Sequence, residues 1–288
     1  MAAQRLAFFG PPGTNSEEAA IRYAALSGQK VSYISMTTIT AVGTAVESGM
    51  ADEGVVPIEN SLEGSVAETL DLLIHSPKPL YICNEAVLPI EHYLLAKPGM
   101  TTEDVKVIMS IPQALAQCRG FIERCFPKAR IEAALSTAAA VEEIMTRDDA
   151  AAIANHRARD IYGAEVLAES IQDRNPNVTR FVVISTDDHE PTGDDRTSLA
   201  FGFSVEDRPG LLVAALDEFS KRSINLSKIE SRPSKERLGT YIFLADIDGH
   251  RKDAPVTAAM ERLQELCSFF RVLGSYPRFR EPARASLA

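Results

Sequence analysis

The chain has no tryptophan, few cysteines, and no long apolar run. Nowhere in its 288 residues are there the ~18 consecutive apolar positions that a membrane helix needs. Near the start, the apolar stretch Leu6 to Phe9 is too short for the apolar region of a secretion signal, so a cytoplasmic location is expected. Cys83, Cys118, Cys125 and Cys267 are scattered with no CxxC pair, which reads as reduced thiols rather than a disulfide framework. The histidines His75, His92, His156, His189 and His250 show neither HxH nor HExxH spacing, so no metal site is expected. The net charge is −10 and no Lys/Arg run occurs, which argues against a nucleic-acid partner.

What is present is a globular composition, 45 % apolar. The polar, acidic stretch from Ser185 to Asp195 contains Pro191 and Gly193 and reads as a linker. Three parts follow: a domain over 1–185, a linker over 186–197, and a second domain over 198–288. In the first, short apolar runs alternate with amphipathic stretches: Leu6–Phe9, Val55–Ile58, Val105–Met109, Ala151–Ala154 and Phe181–Ile184 read as strands. This alternation predicts an α/β fold with mainly parallel sheet. There are more units than one small sheet needs, so two α/β lobes with a cleft are expected. Tyr81 to Leu95 would cross to the second lobe, and Thr179-Arg180-Phe181 would begin the return. Asn15 with Glu18, and Ser110 with Gln113, have capping-box spacing, and Pro112 suits a first helical position. The second domain reads strand (Ser198–Val205), helix (Leu211–Arg222), two strands (Leu226–Ser231, Thr240–Asp246), helix (Val256–Leu266) and strand (Arg271–Gly274). That order is the ferredoxin-like βαββαβ unit.

Ligands of α/β sheets bind beyond the carboxyl ends of the strands. Here those ends carry Gly10 with Thr14, Glu59-Asn60-Ser61, and Ser110. Helix N-termini offer unpaired N–H groups, which suit a small carboxylate-bearing molecule. Ser, Asn and Thr are also ordinary caps and turn formers at such places, and Gln117 on an apolar helix face is compatible with a solvent-facing position.

The segments Gly10-Pro11-Pro12-Gly13-Thr14-Asn15-Ser16, Val55-Val56-Pro57-Ile58-Glu59-Asn60-Ser61, Ser110-Ile111-Pro112-Gln113-Ala114-Leu115-Ala116-Gln117-Cys118 and Asn177-Val178-Thr179-Arg180-Phe181 resemble, in order, the signature motifs of prephenate dehydratases. The resemblance implies a two-lobed catalytic domain of the periplasmic-binding-protein-like kind. It implies catalytic roles for Thr179, Glu59, Asn60, Ser110 and Gln117, and substrate contacts from Thr14, Ser61, Arg180 and Phe181. One departure is Ile111, where the family usually has His. The second domain is similar to an ACT domain of the phenylalanine-sensing kind: Gly210-Leu211-Leu212-Val213 stands where the family has Gly-Ala-Leu-Val, and Glu230-Ser231-Arg232-Pro233 matches Glu-Ser-Arg-Pro. With Asn225 these imply a phenylalanine effector site, and Leu211 adds bulk there.

The implied reaction removes CO2 and water from prephenate to give phenylpyruvate, on the route to phenylalanine. Thr179 would donate its proton, or a hydrogen bond, to the departing hydroxyl. No cofactor is expected. ACT pairing implies a homodimer or homotetramer. A chain ending near Ser185 should keep some activity and lose the effector response. The alternatives are arogenate dehydratase, whose substrate carries an amino group in place of the keto group, and a non-catalytic amino-acid-binding regulator.

Overall fold

The computed structural model describes residues 3–27, 30–204 and 209–280. The chain forms two compact units, Met1–Thr69 with Ala86–Phe181, and Leu70–Glu85 with Val182–Ala288.

Up to Phe181 the elements are β1 (Gln4–Phe9), α1 (Asn15–Ser27), β2 (Val31–Met36), α2 (Ile39–Glu47), β3 (Glu53–Asn60), β4 (Gly64–Ser65), α3 (Ala67–His75), β5 (Tyr81–Pro89), β6 (Tyr93–Ala96) and β7 (Val107–Ser110). There follow α4 (Pro112–Gln117), α5 (Arg119–Cys125), β8 (Arg130–Ala133), α6 (Thr137–Ile144), β9 (Ala150–Ala154), α7 (His156–Tyr162), β10 (Glu165–Ala168) and β11 (Val178–Ser185). The first sheet runs β2-β1-β3-β11-β5, with β4 paired to β3. The second runs β10-β6-β9-β7-β8. The first sheet therefore receives the chain back at β11 after the second lobe is complete, as expected from the run at Thr179.

Parallel pairing is less general than the strand–helix alternation suggests. β1 pairs parallel to both β2 and β3, and β7 to both β8 and β9. β6 lies antiparallel between β9 and β10. The reason is the crossover: β6 enters the second sheet directly from β5, with no helix to turn it parallel to β9. Strand β9 is buried along its whole length, and its residues Ala150, Ala151, Ala152, Ile153 and Ala154 are mostly small, which lets helices close on both faces. One face carries Ala114, Cys118 and Ile122, and the other Ala140, Val141, Ile144 and Ala158.

Two helix starts differ from the capping boxes expected. At α1, Thr14 O accepts the first helical bond from Glu18 N, and Thr14 Oγ1 accepts from Glu17 N at 3.4 Å. The cap is thus Thr14, one residue before Asn15, and Glu17 rather than Glu18 turns back, to accept from Gly13 N at 2.8 Å. At α4 the cap is Ile111, which has no side-chain cap bond. Ser110 does not reach the helix because its hydroxyl donates to Ile153 O at 2.6 Å.

The last part comprises β12 (Asp195–Gly202), α8 (Leu211–Ser220), β13 (Leu226–Pro233), β14 (Tyr241–Asp248), α9 (Ala254–Leu266) and β15 (Phe269–Pro277). Its sheet runs β13-β14-β12-β15, the ferredoxin-like order. Leu199, Phe201, Ala215, Phe219, Ile247, Ala259 and Leu263 form its core between sheet and helices. Strand β12 starts at Asp195, inside the expected linker, since Asp195 already pairs with Pro277. Val205, expected to end the first strand, lies outside the described residues.

Candidate active site

A cleft of about 390 Å³ opens in the first unit. Its walls come from the end of β1 and the start of α1 (Phe9, Gly10, Thr14, Asn15, Ser16), from the ends of β3 and β11 (Asn60, Thr179, Phe181), and from the second lobe (His92, Ile111, Gln117, Leu135, Ser136, Thr137). The first group is placed by a close approach. Gly13 adopts φ +90°, and a Cβ there would meet the Cα of Ala158 at 3.3 Å, so the turn packs against α7 as only glycine permits. Two side-chain bonds accompany it: Asn155 Nδ2 donates to Asn15 Oδ1 at 2.7 Å, and Arg157 Nε to Glu17 Oε2 at 2.6 Å.

Inside the cleft the polar groups form one chain of bonds. Asn60 Oδ1 accepts from the backbone N–H groups of Leu62 and Glu63 at 2.9 and 3.1 Å. Only an oxygen can do this, so the Asn60 nitrogen must face the other way. It donates to Asn177 Oδ1 at 2.8 Å and to Thr179 Oγ1 at 2.9 Å. The amide of Asn177 is thereby oriented too, and its Nδ2 donates to Gln117 Oε1 at 2.9 Å. Gln117 Nε2 in turn donates to Glu63 Oε1 at 3.0 Å, and His92 Nε2 lies 2.8 Å from Gln117 Oε1. Because that oxygen is an acceptor, His92 donates from Nε2. Burial pulls the His92 pKa below its ordinary value, against the opposing bond to Gln117, which keeps the ring neutral.

The end of this chain carries the chemical consequence. Thr179 Oγ accepts from Asn60, so the threonine's own hydroxyl proton is left for another acceptor. The same donor stabilises negative charge that develops on Oγ when the proton is shared. Thr179 is 9 % exposed and sits on the cleft wall. The arrangement suits general-acid assistance to a departing oxygen.

Of the residues singled out from sequence, Thr14, Asn60, Gln117, Thr179 and Phe181 line the cleft. Thr14 does so with its hydroxyl already donated, 3.0 Å from Pro11 O. Four others stand behind the wall. Ser110 is fully buried on Ile153 O. Glu59 pairs with Arg180 Nε at 2.8 Å. Strand periodicity is the reason: Asn60 and Thr179 face the cleft, so their neighbours Glu59 and Arg180 point to the opposite face. Ser61 Oγ accepts from Val178 N at 3.0 Å, and Ser61 N donates to Val178 O at 2.8 Å, which ties the end of β3 to β11. Sequence reasoning missed His92, Glu63, Asn177 and Ser16. Asn177 was within reach, since period two puts it on the same face as Thr179. Nothing local marks His92 or Glu63.

In the second unit, Gly210 has φ +94° and opens α8. Leu211 and Leu212 pack on the core, while Val213 is exposed. Asn225 Nδ2 donates to Asp248 Oδ2 at 3.2 Å. On β13, Glu230 lies 3.7 Å from Lys228 Nζ, Ser231 and Pro233 are exposed, and Arg232 Nη2 donates to Asp71 Oδ1 at 2.6 Å.

Comparison with known proteins places the chain in a family. The prephenate dehydratase family model matches residues 6–189, and the ACT domain model residues 199–265. This chain belongs to the prephenate dehydratase family. It is 41 % identical to a bifunctional chorismate mutase/prephenate dehydratase of Aquifex aeolicus, over 95 % of this chain and 74 % of the relative. It is 37 % identical to the chloroplastic arogenate dehydratase/prephenate dehydratase 1 of Arabidopsis thaliana, over 95 % of this chain and 72 % of that one. Among solved structures, the prephenate dehydratase of Arthrobacter aurescens in complex with L-Phe superposes with a TM-score of 0.86 at 38 % identity, covering 95 % of this chain and 90 % of that chain.

Proposed function

We propose that this enzyme converts prephenate to phenylpyruvate with Thr179 as the acid group. The reaction breaks the bond between the ring and its carboxylate, and that electron pair becomes a ring double bond. The C–O bond on the far side of the ring breaks, and its pair leaves with the hydroxyl. The hydroxyl takes up one proton, so the products are phenylpyruvate, CO2 and water. Aromatisation supplies much of the driving force, and the leaving hydroxyl is what needs help. The observation that carries this reading is the 2.9 Å bond from Asn60 Nδ2 to Thr179 Oγ1, in a direction dictated by Leu62 and Glu63. Following phenylpyruvate formation in wild type, Thr179→Ala and Thr179→Ser tests it. The serine variant should retain most of the turnover that the alanine variant loses.

Arogenate is the second substrate to assay, because a relative of similar identity is named for both substrates. For the ACT part, phenylalanine is the expected effector, supported by the L-Phe complex of the related enzyme. It would sit between the Gly210–Val213 turn of one copy and Glu230–Pro233 of another, with Asn225 beside its polar end, in a homodimer or homotetramer. The catalytic part is taken as residues 1–185 and the regulatory part as 198–288, with the stretch between as their join.

A further inference from the structure

The start of α1 carries three consecutive polar side chains, and two are already used. Asn15 Oδ1 accepts from Asn155, and Glu17 is held by Arg157 and Gly13 N. Between them, Ser16 is only 6 % exposed and lines the cleft. Among the described residues, its hydroxyl has no hydrogen-bond partner, and neither do the backbone N–H groups of Asn15 and Ser16. The hydroxyl therefore faces the cleft with its hydrogen-bonding capacity free for a ligand. Here it stands in the first turn of a 13-residue helix, where the unpaired N–H groups and the helix dipole favour an anion. The lining of the cleft includes no Lys or Arg, and its one acid, Glu68, accepts from Thr40 N and Oγ1. A dianionic substrate must therefore be gripped by neutral donors. The start of α6 is a weaker candidate, because its cap Ser136 already accepts from Ala139 N.

We propose that Ser16, with the N–H groups of Asn15 and Ser16, holds the side-chain carboxylate of prephenate, the one that survives in phenylpyruvate. This rests on the prephenate reading above. The choice between the two carboxylates follows from the chemistry. Donors that grip the ring carboxylate would stabilise its charge before CO2 leaves and so raise the barrier. An apolar surround has the opposite effect, and Ile90, Ile111, Leu135 and Phe181 supply one. The carboxylate that takes no part in bond breaking is the one that donors can hold without slowing the reaction.

The test compares wild type, Ser16→Ala and Ser16→Thr for kcat and KM with prephenate, and for calorimetric binding of phenylpyruvate and its methyl ester. Loss of one hydrogen bond to a carboxylate should raise KM and weaken phenylpyruvate about 10- to 100-fold in Ser16→Ala. The ester should bind both proteins equally, kcat should change less than threefold, and Ser16→Thr should restore binding. Thermal unfolding of Ser16→Ala should match wild type, because no bond within the protein is lost. The proposal is overturned if acid and ester weaken together, if neither weakens, or if kcat falls while KM holds. If wild type fails to convert prephenate, the functional reading falls, and the contrast between acid and ester still decides the carboxylate site.

Discussion

At the scale of single residues, the direction of the hydrogen bonds matters more than the identity of the groups. Asn60 Oδ1 is committed to two backbone N–H groups, so a rotated amide there would turn its own N–H toward both donors and lose both bonds. On the proposed role, Thr179→Ala should lower kcat by ~10²-fold or more, with KM changed much less. Steady-state kinetics on the folded variant decides this, and near-normal turnover would end the assignment. Ile111 lines the cleft as an apolar residue and caps α4 through its backbone alone. Ile111→His should therefore change turnover by less than about tenfold in either direction. A gain of several orders of magnitude would mark the natural chain as a weakened enzyme. Cys118 takes no part: burial pushes its thiol up to about 12, so it carries no thiolate at neutral pH.

At the scale of elements, α1 is tied to the start of α7 beside the cleft through Asn15–Asn155 and Glu17–Arg157. Burial raises the Glu17 pKa, but the bonds from Arg157 and Gly13 N outweigh it, so the carboxyl titrates below its ordinary range. A depressed carboxyl contributes stability that is present above its unfolded pKa of about 4.3 and is lost as pH falls through the lower folded value. Melting temperature measured between pH 7 and pH 3 should thus drop less steeply in Glu17→Gln than in wild type. Arg157→Ala should loosen the tie between α1 and α7 and raise KM for prephenate severalfold, with kcat less affected. An unchanged KM would mean that the pair is ornamental to substrate binding.

At the scale of the whole molecule, compactness does not follow chain order. Leu70–Glu85 groups with the ACT fold. Arg196 Nη1 lies 2.9 Å from Glu85 Oε2, Phe279 N donates to the same carboxylate at 2.7 Å, and the Glu85 side chain is 1 % exposed. Arg271 Nη1 donates to Ile74 O at 2.6 Å, near the end of α3. A Cβ on Gly274 would fall 2.2 Å from Ile82 O, so β15 packs on β5 at a distance only glycine allows. A chain ending at Ser185 would lose the contacts of Glu85 with Arg196 and Phe279 and the packing of β15 on β5. Losing these contacts should lower the melting temperature of that form, as calorimetric scans would show. In the full chain, phenylalanine binding should shift apparent prephenate affinity about 5- to 150-fold, a coupling of ~1–3 kcal/mol. Titration with phenylalanine and tyrosine checks this. If tyrosine alone binds, the effector is misassigned; if neither binds, the ACT part serves assembly only.

Local physics made the strands, the two-lobed α/β plan and the βαββαβ order readable, because periodicity and turn residues act over a few positions. Asn60 was legible in the same way, at a strand end, whereas Thr179 and Gln117 were marked by the resemblance to the family's motifs. What local pattern does not carry is which side chains meet. Ser110 has a cap's spacing, yet its hydroxyl goes to Ile153, 43 positions away. Glu59 adjoins Asn60 in sequence and stands on the opposite face, with Arg180. His92 and Glu63 reach Gln117 from 25 and 54 residues away. The donor direction at Thr179 and the unused hydroxyl of Ser16 depend on where every neighbouring donor and acceptor finds its partner. That assignment is settled only when distant segments are packed together, because a hydrogen bond answers to geometry and not to separation along the chain.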